Sequence, residues 1–321
     1  MRFTEQIVNL SRIDTQDDFY RITTEQKVDD LMRSINHLGL LNLPLLRENE
    51  TEFTVISGFR RIEACRRLNW PELRARVFDS DTEKLKCVNY AITDNALQRP
   101  LNIIEKSNCI RMLSGFIKDL DSLTHALQSL GLSEHPAMIK RIKAVCHMPD
   151  SLKNSILSNT VSLAMALEIA GLPMDDAEGF VDLLNNLKLS LNKQREILMM
   201  VKEIAIREDI SVMQVLEAPD LKNIRINKDL DKNQKAHKIR TNLKQRRFPA
   251  ITFAEQSFKK HLKKLNIRKG IQLIPPVNFE GATYTLKLTF KNINDLKDLK
   301  SNFDAFVENH LLNQIVDDSR W

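Results

Sequence analysis

The stretch Val55-Ile-Ser-Gly-Phe-Arg-Arg-Ile-Glu-Ala-Cys-Arg-Arg-Leu-Asn-Trp70 carries the residue types best suited to chemistry. It reads as a strand, a glycine turn and a helix that opens on Arg60 and Arg61. Gly58 lets the backbone turn sharply without a Cβ penalty. A helix leaves the N–H groups of its first turn without intrahelical acceptors. Beside two guanidiniums, those donors make a site for a polyanion such as a nucleoside triphosphate. Strand, glycine and helix in sequence are common, and a surface helix with solvated arginines is the plain alternative.

The flanking elements must position this turn. Glu25 to Leu38 has helical periodicity through Val28, Leu31, Ile35 and Leu38, and Gly39 follows as the stop. Leu40 to Arg47 is a short apolar strand, and Phe53 to Ile56 is a second. Trp70 to Val77 is a further strand, followed by a helix over about Thr82 to Ala96. Ile7 to Ile13 reads as a leading strand.

Three blocks in this order are Gly39-Leu-Leu-Asn-Leu-Pro44, Gly58-Phe-Arg-Arg61 and Asp94 to Glu105. They resemble the N-terminal domain of ParB-type partition proteins, which carries G-V/L-L-Q-P-I/L, then G-E-R-R, then E-N-I-Q-R-E-D-L-N-P-I-E at similar spacing. The resemblance implies CTP bound with magnesium in this domain, closing a dimer as a clamp on double-stranded DNA. By the same resemblance Gly58, Arg60 and Arg61 hold phosphates, and Gly39, Leu40 and Leu41 line the nucleotide pocket. Asp94 and Asn95 fall where the family's Glu-Asn pair binds the metal, and Asp94 is the candidate catalytic residue. Phe59 replaces the glutamate of G-E-R-R, Asp94 is one methylene shorter than the family glutamate, and Gln98 stands in the arginine position with Arg99 one residue late. Weak CTPase activity is therefore less secure than nucleotide binding.

A chain of 321 residues has room for two or three domains. With aromatics at 6% and only 8 glycines, it suits a mostly helical α+β protein better than a β sandwich. Apolar runs fall short of a bilayer span, and Met1 to Gln6 has no signal-peptide core, so a cytoplasmic protein is expected, and the resemblance implies that it associates with the nucleoid. Cys65, Cys87, Cys109 and Cys146 form no CxxC pair and read as reduced thiols.

Charge is unevenly placed. Lys222 to Lys269 holds 16 Lys/Arg against 3 Asp/Glu, whereas the whole chain is only +6. A solvated linker is one reading, and a mobile basic segment that binds phosphate backbone through Lys244, Arg246 and Arg247 is the other. Leu120 to Cys146 fits a helix-turn-helix with its turn at Gly131 to His135. Its second helix, opening on Pro136, presents Lys140, Arg141 and Lys143 toward DNA.

Four segments are expected. Residues 1–99 form a small mixed α/β nucleotide-binding domain, and residues 100–218 an all-helical DNA-binding domain. Residues 219–253 form a basic, partly disordered linker. Residues 254–321 form a small αββα dimerisation domain, whose last helix gathers Leu296, Leu299, Phe303, Phe306, Val307 and Leu311 on one face. A homodimer covers that face more readily than about 60 residues can alone. The resemblance adds a ParA-type ATPase as a partner. Two rival functions remain: a nucleotide-dependent small-molecule kinase on the same N-terminal fold, and a DNA-binding regulator that has lost its nucleotide.

Overall fold

A computed structural model describes residues 3–187, 189–265, 267 and 270–317. The chain divides into two units, residues 1–181 and 182–321. The described residues are mostly helical with a mixed sheet, in accord with the expected α+β class.

The first unit begins with β1 (Thr4–Asn9), β2 (Ile13–Asp14), α1 (Asp29–Leu38), β3 (Leu45–Glu48), β4 (Phe53–Ser57), α2 (Phe59–Arg67), β5 (Glu72–Phe78) and α3 (Lys84–Ala96). The strand order is β1-β5-β3-β4-β2. Strand β4 is buried at all five positions, as expected for a strand covered on both faces. Its neighbouring residues divide the core. Val55 joins Leu46, Ile62, Leu73 and Val77 on one face, while Ile56 joins Leu45, Phe78, Val88 and Ile92 on the other. This alternation follows from the period of two along a strand.

Helices α4 (Ile103–Ser114), α5 (Leu120–Ser129), α6 (Pro136–Ala144), α7 (Asp150–Leu157) and α8 (Leu163–Ile169) complete the unit, and α9 (Met174–Asn185) follows. The expected break near residue 99 is not where the packing divides. Ile22, Ile56 and Phe78 share a buried cluster with Leu101, Cys109, Ile110, Leu123 and Ile139. Asn102 and Glu105 form a capping box that starts α4 immediately after Pro100.

The second unit contains α10 (Leu191–Glu208), α11 (Val212–Leu216), α12 (Pro219–Ile226), α13 (Lys232–Arg247) and α14 (Pro249–Leu265). A two-stranded antiparallel sheet, β6 (Ile271–Ile274) with β7 (Thr285–Leu288), and helices α15 (Ile293–Val307) and α16 (His310–Asp317) complete it. Residues 219–253, expected as a partly disordered linker, are largely helical. Asp231 and Gln234 make a capping box at the start of α13, and Ala236, Ile239 and Leu243 supply a narrow buried stripe. The expected αββα order gains a helix. Helix α15 ends at Val307, and the Asn309 side chain accepts from the Leu311 N–H at 3.0 Å to start α16.

Candidate functional site: a cleft at the glycine turn

Gly58 joins β4 to α2 with φ 97° and ψ 20°, in the left-handed region. A Cβ there would lie 2.8 Å from the Pro44 Cβ and 3.0 Å from the Pro44 Cα. Both the backbone angle and the close approach therefore require glycine. The turn opens a cleft of about 250 Å³ whose lining includes Tyr20, Asn42, Ser57, Gly58, Arg60, Arg61, Asp94, Asn95, Gln98 and Arg99. Five of the residues singled out in the sequence, Gly58, Arg60, Arg61, Asp94 and Asn95, come together here. Gly39, Leu40 and Leu41 do not line this cleft. Gly39 ends α1 at φ 75°, Leu40 packs on the core behind the sheet, and Leu41 is exposed. Asn42, the next residue, reaches the wall.

The two arginines play different parts. Arg61 is largely enclosed, and its Nη1 donates to the carbonyls of Asn42 at 2.9 Å and Leu43 at 3.0 Å. Its Nη2 lies 3.3 Å from Asp94 Oδ2. Burial lowers the Arg61 pKa, and the neighbouring Asp94 carboxylate opposes that shift. Arg61 thus fastens the loop after α1 to α2 and α3. Arg60 makes fewer contacts: its Nη2 donates to the Lys27 carbonyl at 2.7 Å and its Nη1 lies 3.1 Å from Glu25 Oε2. Its Nε is buried with no hydrogen-bond partner. A buried donor without an acceptor is costly, so this nitrogen is a natural place for an incoming anion.

Asp94 is surrounded by donors. Oδ2 accepts from Ser57 Oγ as well as Arg61, and Oδ1 accepts from Gln98 Nε2 at 2.9 Å. Asn95 turns its amide nitrogen back to the Ala91 carbonyl at 2.8 Å. Among the described residues no group of three or more His, Cys, Asp or Glu is placed to hold a metal ion. The one carboxylate lining the cleft, Asp94, is already committed to a guanidinium, a hydroxyl and an amide, and on that ground the magnesium implied by the resemblance does not fit this donor set.

A buried carboxylate stands behind the cleft wall. Glu105, 1% exposed, receives both Nη groups of Arg99 at 2.7 Å each and the backbone N–H groups of Thr24 and Asn102 at 3.0 Å each. Burial alone would raise its pKa, but these hydrogen bonds hold it below the usual glutamate value. Glu105 thereby ties α4 to the segment before α1. In the sequence, its place at the end of the third block is the only signal of this role.

Helices α5 and α6 fall at the expected helix-turn-helix elements. The Leu132 N–H closes on the Leu127 carbonyl at 2.9 Å beside Gly131, at φ 88°. Ile139 and Ile142 are fully buried, whereas Lys140, Arg141 and Lys143 are exposed. None of the three has an ion-pair or hydrogen-bond partner among the described residues. The cations expected on the basic segment differ. Lys244 pairs with Glu255 at 2.8 Å, Arg247 with Glu203 at 2.6 Å, and Arg246 with Glu208.

No helix among the described residues is long and apolar enough to cross a membrane. All four cysteines are free thiols, and burial pushes Cys65 up to about 11 and Cys109 up to about 12. Neither thiol is among the residues that line the cleft.

Residues 4–96 match the ParB N-terminal domain. The probable chromosome-partitioning protein ParB of Campylobacter jejuni is 24% identical over 178 residues, covering 56% of this chain and 62% of that protein. The nucleoid occlusion protein of Bacillus licheniformis is 27% identical over 180 residues, covering 54% and 60%. The chain thus spans about three-fifths of the length of these relatives. A C-terminally truncated Caulobacter crescentus ParB complexed with CTP-gamma-S is 16% identical, with coverage of 57% and 99% and a TM-score of 0.27. The same protein complexed to the centromeric parS site is 15% identical, with coverage of 59% and 96% and a TM-score of 0.33. The sequence match over the sheet and its glycine turn places residues 4–96 of this chain in the ParB N-terminal domain family.

Proposed function

We propose that this chain is a DNA-binding partition protein of the ParB type, and that its cleft at Gly58 binds CTP. The observation that carries the reading is the unpaired, buried Nε of Arg60 at the start of α2, beside the enclosed Arg61 guanidinium. The matched family domain and the three sequence blocks support the choice of nucleotide. A triphosphate at this turn gains the first-turn N–H donors of α2, a turn that carries no acidic residue, and the Arg60 Nε, while it competes with Glu25 for the Arg60 Nη1. Calorimetry with CTP, ATP and GTP tests this. Wild type should bind CTP, and Arg60→Ala should lose about tenfold or more in affinity, a change of roughly 1.4 kcal/mol. Arg60 is the better probe because removing Arg61 would also take the guanidinium from Asp94 and from two loop carbonyls. Equal CTP affinity in wild type and Arg60→Ala would remove the assignment, and no binding of any nucleotide would favour a regulator without one.

DNA is proposed to be held by α6 through Lys140, Arg141 and Lys143. A homodimer is proposed to form through the last part of the chain, and a ParA-type ATPase remains part of the same reading. Support for the dimer is an apolar hollow of about 340 Å³ lined by Leu288, Ile293, Leu296, Leu299 and Phe303. Leu286, Leu288 and Phe290 also stand exposed at alternate positions along and just beyond β7. Burying one such side chain is worth about 1.5–3 kcal/mol, and two-fold symmetry uses each twice. Phe303→Asp should sediment as a monomer where wild type sediments as a dimer, and an unchanged dimer would place the interface elsewhere.

A further inference from the structure

The cleft carries more guanidiniums than carboxylates. Among its lining residues, one carboxylate, Asp94, faces three guanidiniums, Arg60, Arg61 and Arg99. Arg99 is held by Glu105 and is not free. Asp94 is the counter-ion of Arg61, and its other oxygen is taken by Gln98. We infer that this chain holds its nucleoside triphosphate without a bridging divalent cation, and that Asp94 is an internal anion occupying Arg61 until the phosphates replace it. The inference rests on the nucleotide reading above.

The physical argument is one of competing charges. Magnesium demands an octahedral oxygen shell and is usually fixed by one or two carboxylates together with the phosphates. Here the single carboxylate already lies 3.3 Å from a guanidinium nitrogen, and a cation added on the same oxygen would be repelled by Arg61. Asn95 offers only a neutral amide oxygen, with its nitrogen tied to Ala91. A triphosphate brings its own negative charge to the same arginines. Without a metal between them, phosphate and Asp94 repel each other and compete for Arg61. The sign of the Asp94 effect therefore separates the two cases. A metal ligand helps the nucleotide bind, whereas an internal counter-ion hinders it.

The test is calorimetry of the full chain with CTP, in buffer containing magnesium and in buffer containing EDTA, on wild type and Asp94→Asn. Asparagine keeps the size of the side chain and can still pair with Ser57 and Gln98. Wild-type affinity should agree within about threefold between the two buffers, and Asp94→Asn should bind CTP about three- to tenfold tighter in both, because a repulsive charge has been removed. A loss of about tenfold or more on chelation, or weaker binding by Asp94→Asn, would overturn the inference while leaving nucleotide binding in place. Chelation acts on wild type alone and so decides the matter even if the variant folds poorly. Absence of CTP binding by wild type in both buffers would overturn the nucleotide reading, and this inference with it.

Discussion

Helices α6 and α13 both look like DNA-binding elements when charge is read along the chain, and the structure separates them. In α6 the apolar side chains Ile139 and Ile142 are buried, and the cations between and beside them, Lys140, Arg141 and Lys143, face solvent without partners among the described residues. In α13 the cations are used within the protein. Arg240 reaches Glu196 at 2.6 Å, Arg247 reaches Glu203 at 2.6 Å, and Arg246 and Arg207 share Glu208. Lys235 donates to the Arg225 carbonyl at 2.7 Å and Lys232 to the Asn185 carbonyl at 3.3 Å. Only Lys238 on α13 has no partner among the described residues. A free cation binds a phosphate and releases counterions, whereas a paired one must first give up its carboxylate. Net charge therefore indicates where cations are, but not which of them a polyanion can claim.

The largest effect is expected from neutralising α6. Lys140→Ala, Arg141→Ala and Lys143→Ala together should weaken specific DNA binding by about 1–3 kcal/mol for each side chain that reads a base edge. The slope of log affinity against log salt should become shallower by about 0.9 for each phosphate that is no longer neutralised. The matched change on α13, Lys244, Arg246 and Arg247 all to Ala, should leave DNA affinity within about twofold and the salt slope nearly unchanged. Its cost should instead appear as a lower melting temperature, since Glu255 and Glu203 lose their partners and Glu208 keeps only Arg207. Filter binding or anisotropy over a salt series measures both variants. Should the α13 variant lose more affinity than the α6 variant, the comparison is reversed and α13 is the DNA-binding element.

The same contrast shows what could be read from sequence. The glycine turn was legible because its chemistry is local: Gly58, Arg60 and Arg61 lie within one turn of chain, although the contact that enforces the glycine comes from Pro44, just before the preceding strand β3. From α1 to α3 the strands and helices were legible within a few residues, since β5 alternates exposed and buried positions and α1 ends at a left-handed glycine. The single leading strand expected over Ile7 to Ile13 is instead the end of β1, a 3-10 turn over Leu10–Arg12 and the start of β2, because the Asn9 side chain accepts from the Ser11 N–H and turns the chain. The fold of 219–253 was not. Its buried stripe on α13 is only Ala236, Ile239 and Leu243, too thin to stand out from the lysines around it. What holds that helix is α10, whose Glu196 and Glu203 meet arginines 44 residues away. Glu105 is hidden for a similar reason, because Thr24 lies 81 residues from it in sequence. Asp94 is recognisable as a site residue, but its commitment to Ser57, Arg61 and Gln98 depends on how β4, α2 and α3 converge.

The smallest expected effect isolates one pair from the α13 network. Glu208 has its pKa lowered from 4.5 to about 2 by hydrogen bonds from Arg246 and Arg207, in that order. A carboxylate whose folded pKa lies below its unfolded value stabilises the fold above the unfolded pKa. That contribution is lost as pH falls from about 4.5 toward about 2. Glu208 is 29% exposed, so solvent screening keeps its contribution to about 1 kcal/mol or less. Glu208→Gln should therefore melt slightly lower than wild type at neutral pH, and the two melting curves should converge as the pH falls from about 4.5 toward about 2. The convergence belongs to Glu208 alone, because Glu217, whose pKa is lowered by Lys222 and Arg225, titrates in both proteins. Circular dichroism melts across that range measure the difference. The same variant takes the carboxylate from Arg246, so its non-specific DNA affinity should rise modestly at low salt, in the direction opposite to the α6 neutralisation. A constant offset between the two melting curves down to about pH 2 would mean that Glu208 acts by packing rather than by charge. The paired helix would then owe its order to Ala236, Ile239 and Leu243, and the contrast with α6 would rest on burial instead of ion pairing.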